Sequence, residues 1–500
     1  MANDISPLPS LAIAEIEFLR EHPYYKSTTI LDELRKTDYA RLDQLGHVYL
    51  DYTGGGLYAD AQVQAHADLL LHHVFGNPHS SNPTSLEMTQ HIQRTRQAVL
   101  DTFHADAQDY VVIFTGNASG ALKLVGESYP FCAGGNYLLT FDNHNSVNGI
   151  REFARAKGAK VTYAPVIPPD MYIDEDKLNA CLEMAQSGDN LFAFPAQSNF
   201  SGVQHDLGWI ERARAKGWDI LLDAAAFVPT NPLDLSRWKP DYVVLSFYKM
   251  FGYPTGVGAL LARKAALMKL HRPWFAGGTI TVASVQGHRY YLSDPPEAFE
   301  DGTLNYLTLP ALEIGLRHIG RIGIEKIHAR VRDLTGWLLK TLSAMQHSNG
   351  KSLIKIYGPL NSERRGGTIT MNFYGPDSHF IDHRLIEDCA NRAKISLRTG
   401  CFCNPGGGEL ALGIPAEELN ACFLQHVQRM TFDDFRRCID DHSTGAVRVS
   451  SGMVTNFADV YHFARFAYGF VNKSIEDILT GLSDRPESAA ARQKCGAGAE

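Results

Sequence analysis

The sequence predicts an α/β protein with a large domain built on a mostly parallel sheet and a smaller α+β domain after it. Three observations carry that expectation. Between Tyr110 and Leu245, short apolar runs with strand character alternate with stretches of helical period, the pattern of strands covered on both faces by helices. Two of those runs, Ile220-Leu221-Leu222 and Tyr242-Val243-Val244-Leu245, end in polar residues that strand periodicity does not require, Asp223 and the string Ser246-Phe247-Tyr248-Lys249. Beyond Leu309 the pattern changes to long amphipathic helices reaching about Met345, then to strands near 354–357 and 367–373, which marks a second unit.

Taken in order, residues 11–45 read as helical, with Ile13, Ile16, Phe18 and Leu19, then Leu31, Leu34 and Leu42, apolar between charges. The segment 1–50 is expected to pack on the small domain. Val48-Tyr49-Leu50-Asp51 reads as a short strand, and Tyr52-Thr53-Gly54-Gly55-Gly56 as a loop, either a tight turn or a close backbone approach to something bound. A helix over 61–74 leads to Gly76-Asn77-Pro78-His79-Ser80-Ser81-Asn82-Pro83, an ordered loop whose His79 is either an acid or base or a plain hydrogen-bonding group. A new helix starts near Thr84. The regular alternation then gives strand 110–115, helix 118–129, strand 136–140, helix 145–157, strand 160–164, helix 174–186, strand 190–194, helix 207–217 and the two strands above. The large domain is assigned to 51–305 and the small domain, with a cysteine loop, to 306–485. Residues 486–500, rich in Ser, Ala and Gly, read as a disordered tail.

A carboxylate and a lysine just beyond the C-terminal ends of buried strands sit where open α/β sheets place their ligands. Asp223 and Lys249 together suggest pyridoxal 5'-phosphate, which needs a lysine for its aldehyde and an acid to keep its ring nitrogen protonated. Strand 110–115 runs into Thr115-Gly116-Asn117-Ala118-Ser119-Gly120, where small residues and a hydroxyl at a helix N-terminus suit a phosphate. Strand 136–140 leads to Asp142-Asn143-His144-Asn145-Ser146, in which His144 stacks on a flat ring or the Asn and Ser residues cap the next helix. Strand 190–194 leads to Asn199, within reach of a phenolic oxygen on the cofactor. Successive strand ends that supply a phosphate cradle, a stacking group, an amide, an acid and a lysine make one site the economical reading.

With 44% hydrophobic and 20% charged residues, a formal charge of −8 and a pI near 6.2, the chain has the balance of an ordinary globular protein and no electrostatic footprint for nucleic acid or an anionic membrane. No signal-peptide pattern and no bilayer-length apolar run are seen, so a cytoplasmic setting is expected. Eight cysteines in 500 residues, mostly lone, argue against a disulfide framework. Only Cys401 and Cys403 cluster, and a Cys-x-Cys pair without a second ligand pair does not make a structural zinc site.

With these residues in hand, the chain resembles fold-type I pyridoxal phosphate enzymes of the aminotransferase class V group, and within it the cysteine desulfurase-like domain of molybdenum cofactor sulfurases. The resemblance rests on Leu-Asp-Glu-Leu-Arg at 31–35, Tyr-Leu-Asp-Tyr-Thr-Gly at 49–54, Gly-Asn-Pro-His-Ser at 76–80, Pro-Ala-Gln-Ser-Asn-Phe-Ser-Gly at 195–202, Ser-Phe-Tyr-Lys at 246–249 and Arg-Thr-Gly-Cys-Phe-Cys-Asn at 398–404. It implies that Lys249 holds the cofactor aldehyde, Asp223 pairs with the ring nitrogen, His144 stacks on the ring and Asn199 sits near the phenolic oxygen. It places Ala118, Ser119 and Ser246 around the phosphate, with Thr303 reaching the phosphate of a neighbouring subunit, hence a homodimer. Arg398 would hold the substrate carboxylate, and Cys403 would take the sulfur as a thiolate. Ala226 and Tyr248 stand where simple desulfurases usually have glutamine and histidine, and both match the sulfurase pattern.

The activity so implied converts L-cysteine to L-alanine and leaves a persulfide on Cys403, for transfer to an acceptor in trans such as molybdenum cofactor. A carbon–sulfur lyase, or another class V biosynthetic enzyme in which Cys403 is incidental, is the alternative on the same fold. A catalytically silent scaffold or sulfur-carrier partner is the reading from a different class, and the full cofactor set stands against it.

Overall fold

A seven-stranded sheet forms the centre of the molecule, from β1 (Tyr110–Thr115), β2 (Asn136–Thr140), β3 (Lys160–Ala164), β4 (Asn190–Pro195), β5 (Asp219–Asp223), β6 (Tyr242–Ser246) and β7 (Gly258–Arg263). The computed structural model describes residues 8–185, 188–425, 429–431, 434, 438 and 445–483. The strand order is β1-β7-β6-β5-β4-β2-β3, and β7 alone runs antiparallel to its neighbours. The other six run in one direction. Their C-terminal ends therefore share one edge, the edge at which such sheets bind ligands.

The strands match the sequence expectation because their side chains leave no other option. Leu191 to Phe194, Ile220 to Leu222 and Val243 to Leu245 are all fully buried, and each such large side chain contributes about 1.5–3 kcal/mol by leaving water. Alternate residues feed two cores, with Phe192, Phe194, Leu222 and Leu245 on one face and Leu191, Ala193, Leu221 and Val244 on the other. β7 is the one strand of this sheet that the sequence reading did not assign, although its Ala259-Leu260-Leu261-Ala262 run is apolar and fully buried.

Several helices are shorter than their apolar pattern. The stretch 145–157 divides at Gly149 into Asn145–Asn148 and Ile150–Ala156, and the long C-terminal pattern divides at Gly323 into Leu309–Ile322 and Ile324–Ser343. Asp174 caps Glu175–Leu182 by accepting from Lys177 N at 3.0 Å, which fixes where that helix begins.

A second sheet contains β8 (Ile354–Tyr357), β9 (Thr368–Tyr374), β10 (Phe380–Ile381), β11 (Arg398–Gly400) and β12 (Ala446–Ser450), all antiparallel in the order β8-β9-β12-β11 with β10 pairing β9. Its own core draws in the N-terminal helix Leu11–Glu21 through Ala14 and Phe18. Phe18 stacks on Phe457 at 4.6 Å, while Ile13 and Ile16, expected on the apolar face, are exposed. The string at 31–35 has a structural role. Arg330 donates to both carboxylate oxygens of Asp32 at 2.6 Å, and Arg35 donates to Asp459 and to the Val454 carbonyl. Removing one partner of such a buried pair costs about 3–5 kcal/mol, so these ties fasten the N-terminal segment.

The cysteine reading needs one correction. Cys422 and Cys438 are joined by a disulfide, while Cys132, Cys181, Cys389, Cys401 and Cys403 are free. Their 16-residue separation gave no sequence signal for the pairing. The tail assigned to 486–500 lies outside the described residues. Among the described residues no helix is long and apolar enough to cross a membrane.

Candidate active site

A cavity of about 460 Å³ opens at the shared strand edge. Seven of the residues singled out in the sequence line it: Ala118, Ser119, His144, Asn199, Asp223, Ser246 and Lys249. They come from the ends of five parallel strands: Ala118 and Ser119 follow β1, His144 follows β2, Asn199 follows β4, Asp223 ends β5, and Ser246 and Lys249 lie at the end of β6. Lys249 lies in the short helix Phe247–Phe251 directly after β6. That helix is stopped by Gly252 at φ +76, where a Cβ would collide with the Leu57–Tyr58 backbone, so only glycine fits.

The charges in the cavity act on one another. Desolvation lowers Lys249 below the usual lysine range, and the Asp223 carboxylate works against that shift. His144 is also lowered by burial, with Asp223 opposing, which favours the neutral imidazole. His144 Nδ1 accepts from Ser146 N at 3.1 Å, so the ring both caps the short helix after it and faces the cavity. The cap expected from Asn and Ser is supplied by His144 itself. Asp223 Oδ1 accepts from Ala225 N at 3.0 Å, and this fixes the carboxylate at the strand end.

At the other end of the cavity Ala118–Ser128 begins, with Asn117 Oδ1 accepting from Gly120 N at 2.9 Å. Ser119 and Ser146 hydroxyls meet at 2.6 Å. Two hydroxyls beside a helix N-terminus form a donor set for a phosphate. An amine of lowered basicity, a carboxylate, a neutral imidazole and this cradle fit pyridoxal 5'-phosphate, and the volume falls within the about 300–1,000 Å³ of small-ligand pockets.

Thr303 does not line this cavity. It lines a neighbouring one of about 350 Å³ that shares Gly116 and Gly256 with the first. His79 lines neither. Gly54 and Gly56 answer the question left open about their loop, since the close approach is to the chain itself. A Cβ on Gly54 would meet the Asp51 carboxylate and Arg398, and one on Gly56 would meet the Lys249 carbonyl at 2.8 Å.

The cysteine loop is fastened to the cavity wall. Asn199 Nδ2 donates to the Phe402 carbonyl at 2.7 Å, and Asn145 N donates to the Cys403 carbonyl at 2.7 Å. Asn404 joins the pieces: its Nδ2 donates to Asn199 Oδ1 at 2.9 Å and to the Asp142 carbonyl at 2.7 Å, and its Oδ1 accepts from Gly407 N at 3.0 Å. Asp142 is itself held by a fully buried contact with His205 at 2.9 Å. Phe402 is buried against Phe200, while Cys403 is exposed and Cys401 half-buried. Asn199, expected near the phenolic oxygen of the cofactor, is seen to anchor this loop.

Arg398 is half-exposed and bound to Asp51, with Nη2 at 2.7 Å from Oδ2. The cation that sequence reading missed is Arg448. It is buried, donates from Nη1 to the Asn199 carbonyl at 2.9 Å and from Nη2 to Asp51 at 3.1 Å, and lies over the Phe402 ring at 4.6 Å. Burial pushes it down to about 10 against the pull of Asp51, and the Cys403 thiol adds a smaller upward pull. Its signal was available, because an arginine in the middle of the apolar run Ala446-Val447-Arg448-Val449 needs a buried partner.

Residues 48–462 match the aminotransferase class-V family. The chain is 35% identical over 489 residues to a molybdenum cofactor sulfurase of Solanum lycopersicum, which covers 90% of this chain and 59% of the relative. It is 36% identical over 459 residues to that of Homo sapiens, covering 87% and 51%. The chain therefore spans little more than half the length of these relatives. Among solved structures, the apo cysteine desulfurase of Thermococcus onnurineus NA1 shares the fold at a TM-score of 0.73 and 22% identity, covering 88% of this chain and 98% of that one.

Proposed function

We propose, on the premise that the chain belongs to the aminotransferase class-V family, that it is a pyridoxal 5'-phosphate-dependent enzyme which moves the sulfur of L-cysteine onto Cys403 and releases L-alanine. The observation that carries this reading is the fastening of the 402–403 backbone to Asn199 and Asn145, one lining the cavity and the other adjoining His144. An exposed thiol is thereby carried on a loop tied to the cavity that holds the amine and the acid.

Lys249 would hold the cofactor aldehyde, Asp223 the ring nitrogen and His144 the ring face, with Ala118, Ser119 and Ser246 around the phosphate. When bound, the cofactor supplies an electron sink for the substrate α-carbon. Lys249 Nζ, made less basic by burial, takes the proton from that carbon and later returns one. Arg398 and Arg448 receive the substrate carboxylate. The Cys403 thiolate forms a bond to the substrate sulfur as the Cβ–S bond breaks, and Cβ is protonated, so L-cysteine and the Cys403 thiol become L-alanine and the Cys403 persulfide. The sulfur then passes to an acceptor in trans. The names of the relatives point to molybdenum cofactor as that acceptor.

The reading includes a homodimer in which Thr303 completes the partner's phosphate site. Supporting it, the hairpin Ile280–Ser284 and Arg289–Leu292 exposes Val282, Val285 and Tyr291. It also includes a division into two domains at 305/306; the separate core of the second sheet supports two domains, while Leu309, Leu312 and Leu316 beyond that boundary pack in the core of the first. A cytoplasmic setting, in which Cys403 stays a thiol, completes it. Product analysis of the holoenzyme with L-cysteine tests the activity. Alanine formed with a protein persulfide is expected, whereas pyruvate with ammonia and sulfide would assign a carbon–sulfur lyase instead.

A further inference from the structure

We propose that Asp51 sets the charge of the amino-acid site: by neutralising one of two arginines, it restricts the site to substrates that carry one carboxylate and an uncharged side chain. The inference rests on the amino-acid substrate proposed above.

The register of the small sheet places Arg398 directly opposite Arg448 across β11 and β12. Like charges in that position repel. The chain resolves the conflict with one carboxylate. Arg398 donates to Asp51 from Nε at 3.0 Å and from Nη2 at 2.7 Å, and Arg448 donates from Nη2 at 3.1 Å to the other oxygen. Asp51 is brought there by its own backbone, which bridges in parallel to Ser450, two residues beyond Arg448. Its side chain is buried, and the absence of a side chain at Gly54 leaves room for the pair.

Two guanidiniums and one carboxylate leave a single net positive charge. That charge adjoins the cavity, because Arg448 Nη1 donates at 2.9 Å to the carbonyl of Asn199, which lines it. One net positive charge balances one α-carboxylate. A substrate with a second anion on its side chain would bring uncompensated charge into a desolvated site. Among the described residues buried Arg448 Nε has no partner, and Arg398 is half-exposed, so the cluster retains donors for an incoming carboxylate.

The test compares two probes on the holoenzyme by titration calorimetry: S-methyl-L-cysteine, whose side chain is neutral, and L-cysteate, whose side chain is a sulfonate. The read quantity is the ratio of their dissociation constants. The unaltered protein should favour S-methyl-L-cysteine. Asp51→Asn should move the ratio toward L-cysteate by about tenfold or more, as expected for one charge in a partly buried site. Arg398→Gln should move it the other way, and Asp51→Asn combined with Arg398→Gln should return it near the starting value. Arg398 is half-exposed, so Arg398→Gln also decides the matter if Asp51→Asn does not fold. A ratio that stays within about twofold in either folded single variant overturns the charge-setting role. If neither probe binds the unaltered holoenzyme, the amino-acid reading itself has failed.

Discussion

Asp223 ends β5 and Lys249 lies in the short helix directly after β6, two strands whose central residues are fully buried, so packing fixes their position before any ligand arrives. Cys403 stands in a loop where Phe402 and Cys403 both have φ +55, a conformation that costs a non-glycine residue about 1–3 kcal/mol. What holds it there is a handful of hydrogen bonds centred on Asn404 and Asn199. The cofactor half of the site is therefore a product of the sheet. The thiol half is a seated loop, and the two should separate on mutation.

The largest effect is expected on the rigid side. Lys249→Ala should lower turnover by at least about 10³-fold, the scale of a lost acid–base group, and leave no cofactor covalently attached after borohydride reduction and denaturation. A reduced adduct on another lysine in that variant would reassign the site. On the seated side, Asn404→Ala removes two donated hydrogen bonds and one accepted. Persulfide formation should fall about ten- to a hundredfold, the size of one to three kcal/mol of lost seating, while cofactor retention stays unchanged. Loss of the cofactor along with the persulfide would show that the two halves are one unit. Gly406→Ala sharpens the same contrast, because its Cβ would collide with the Phe141 carbonyl. It should slow persulfide formation without altering the cofactor absorbance.

The smallest effect is thermodynamic. Burial lowers Lys249 from 10.5, so between its lowered value and 10.5 the unfolded apo chain binds more protons than the folded one, and stability rises with pH across that window. Apo Lys249→Met should be more stable than the apo parent in urea near neutral pH, with the gap closing as pH approaches 10.5. A gap independent of pH would mean that Lys249 is not desolvated.

The same contrast explains what the sequence could show. Asp223, Lys249 and the turn at Gly116 were legible because each adjoins an apolar strand whose period gives its place. How the residues near the thiol join was not, since Asp51, Asn199, Arg398, Asn404 and Arg448 meet only through tertiary folding across two sheets. Arg398 could be named by resemblance, yet its salt bridge to Asp51 and its opposition to Arg448 depend on strand register that no local pattern encodes. Asn199 was assigned to the cofactor because it follows a strand, and its bond to Phe402 became visible only with the loop in place.

Cys403 as the sulfur acceptor is tested most directly by intact-protein mass spectrometry of the Cys403→Ala and Cys401→Ala holoenzymes after exposure to L-cysteine. Cys403→Ala should keep its cofactor and gain no sulfur, while Cys401→Ala should still gain one sulfur atom at residue 403. A persulfide on Cys401 in the Cys403→Ala protein, or full release of a three-carbon product by both variants with no protein-bound sulfur, would contradict that assignment.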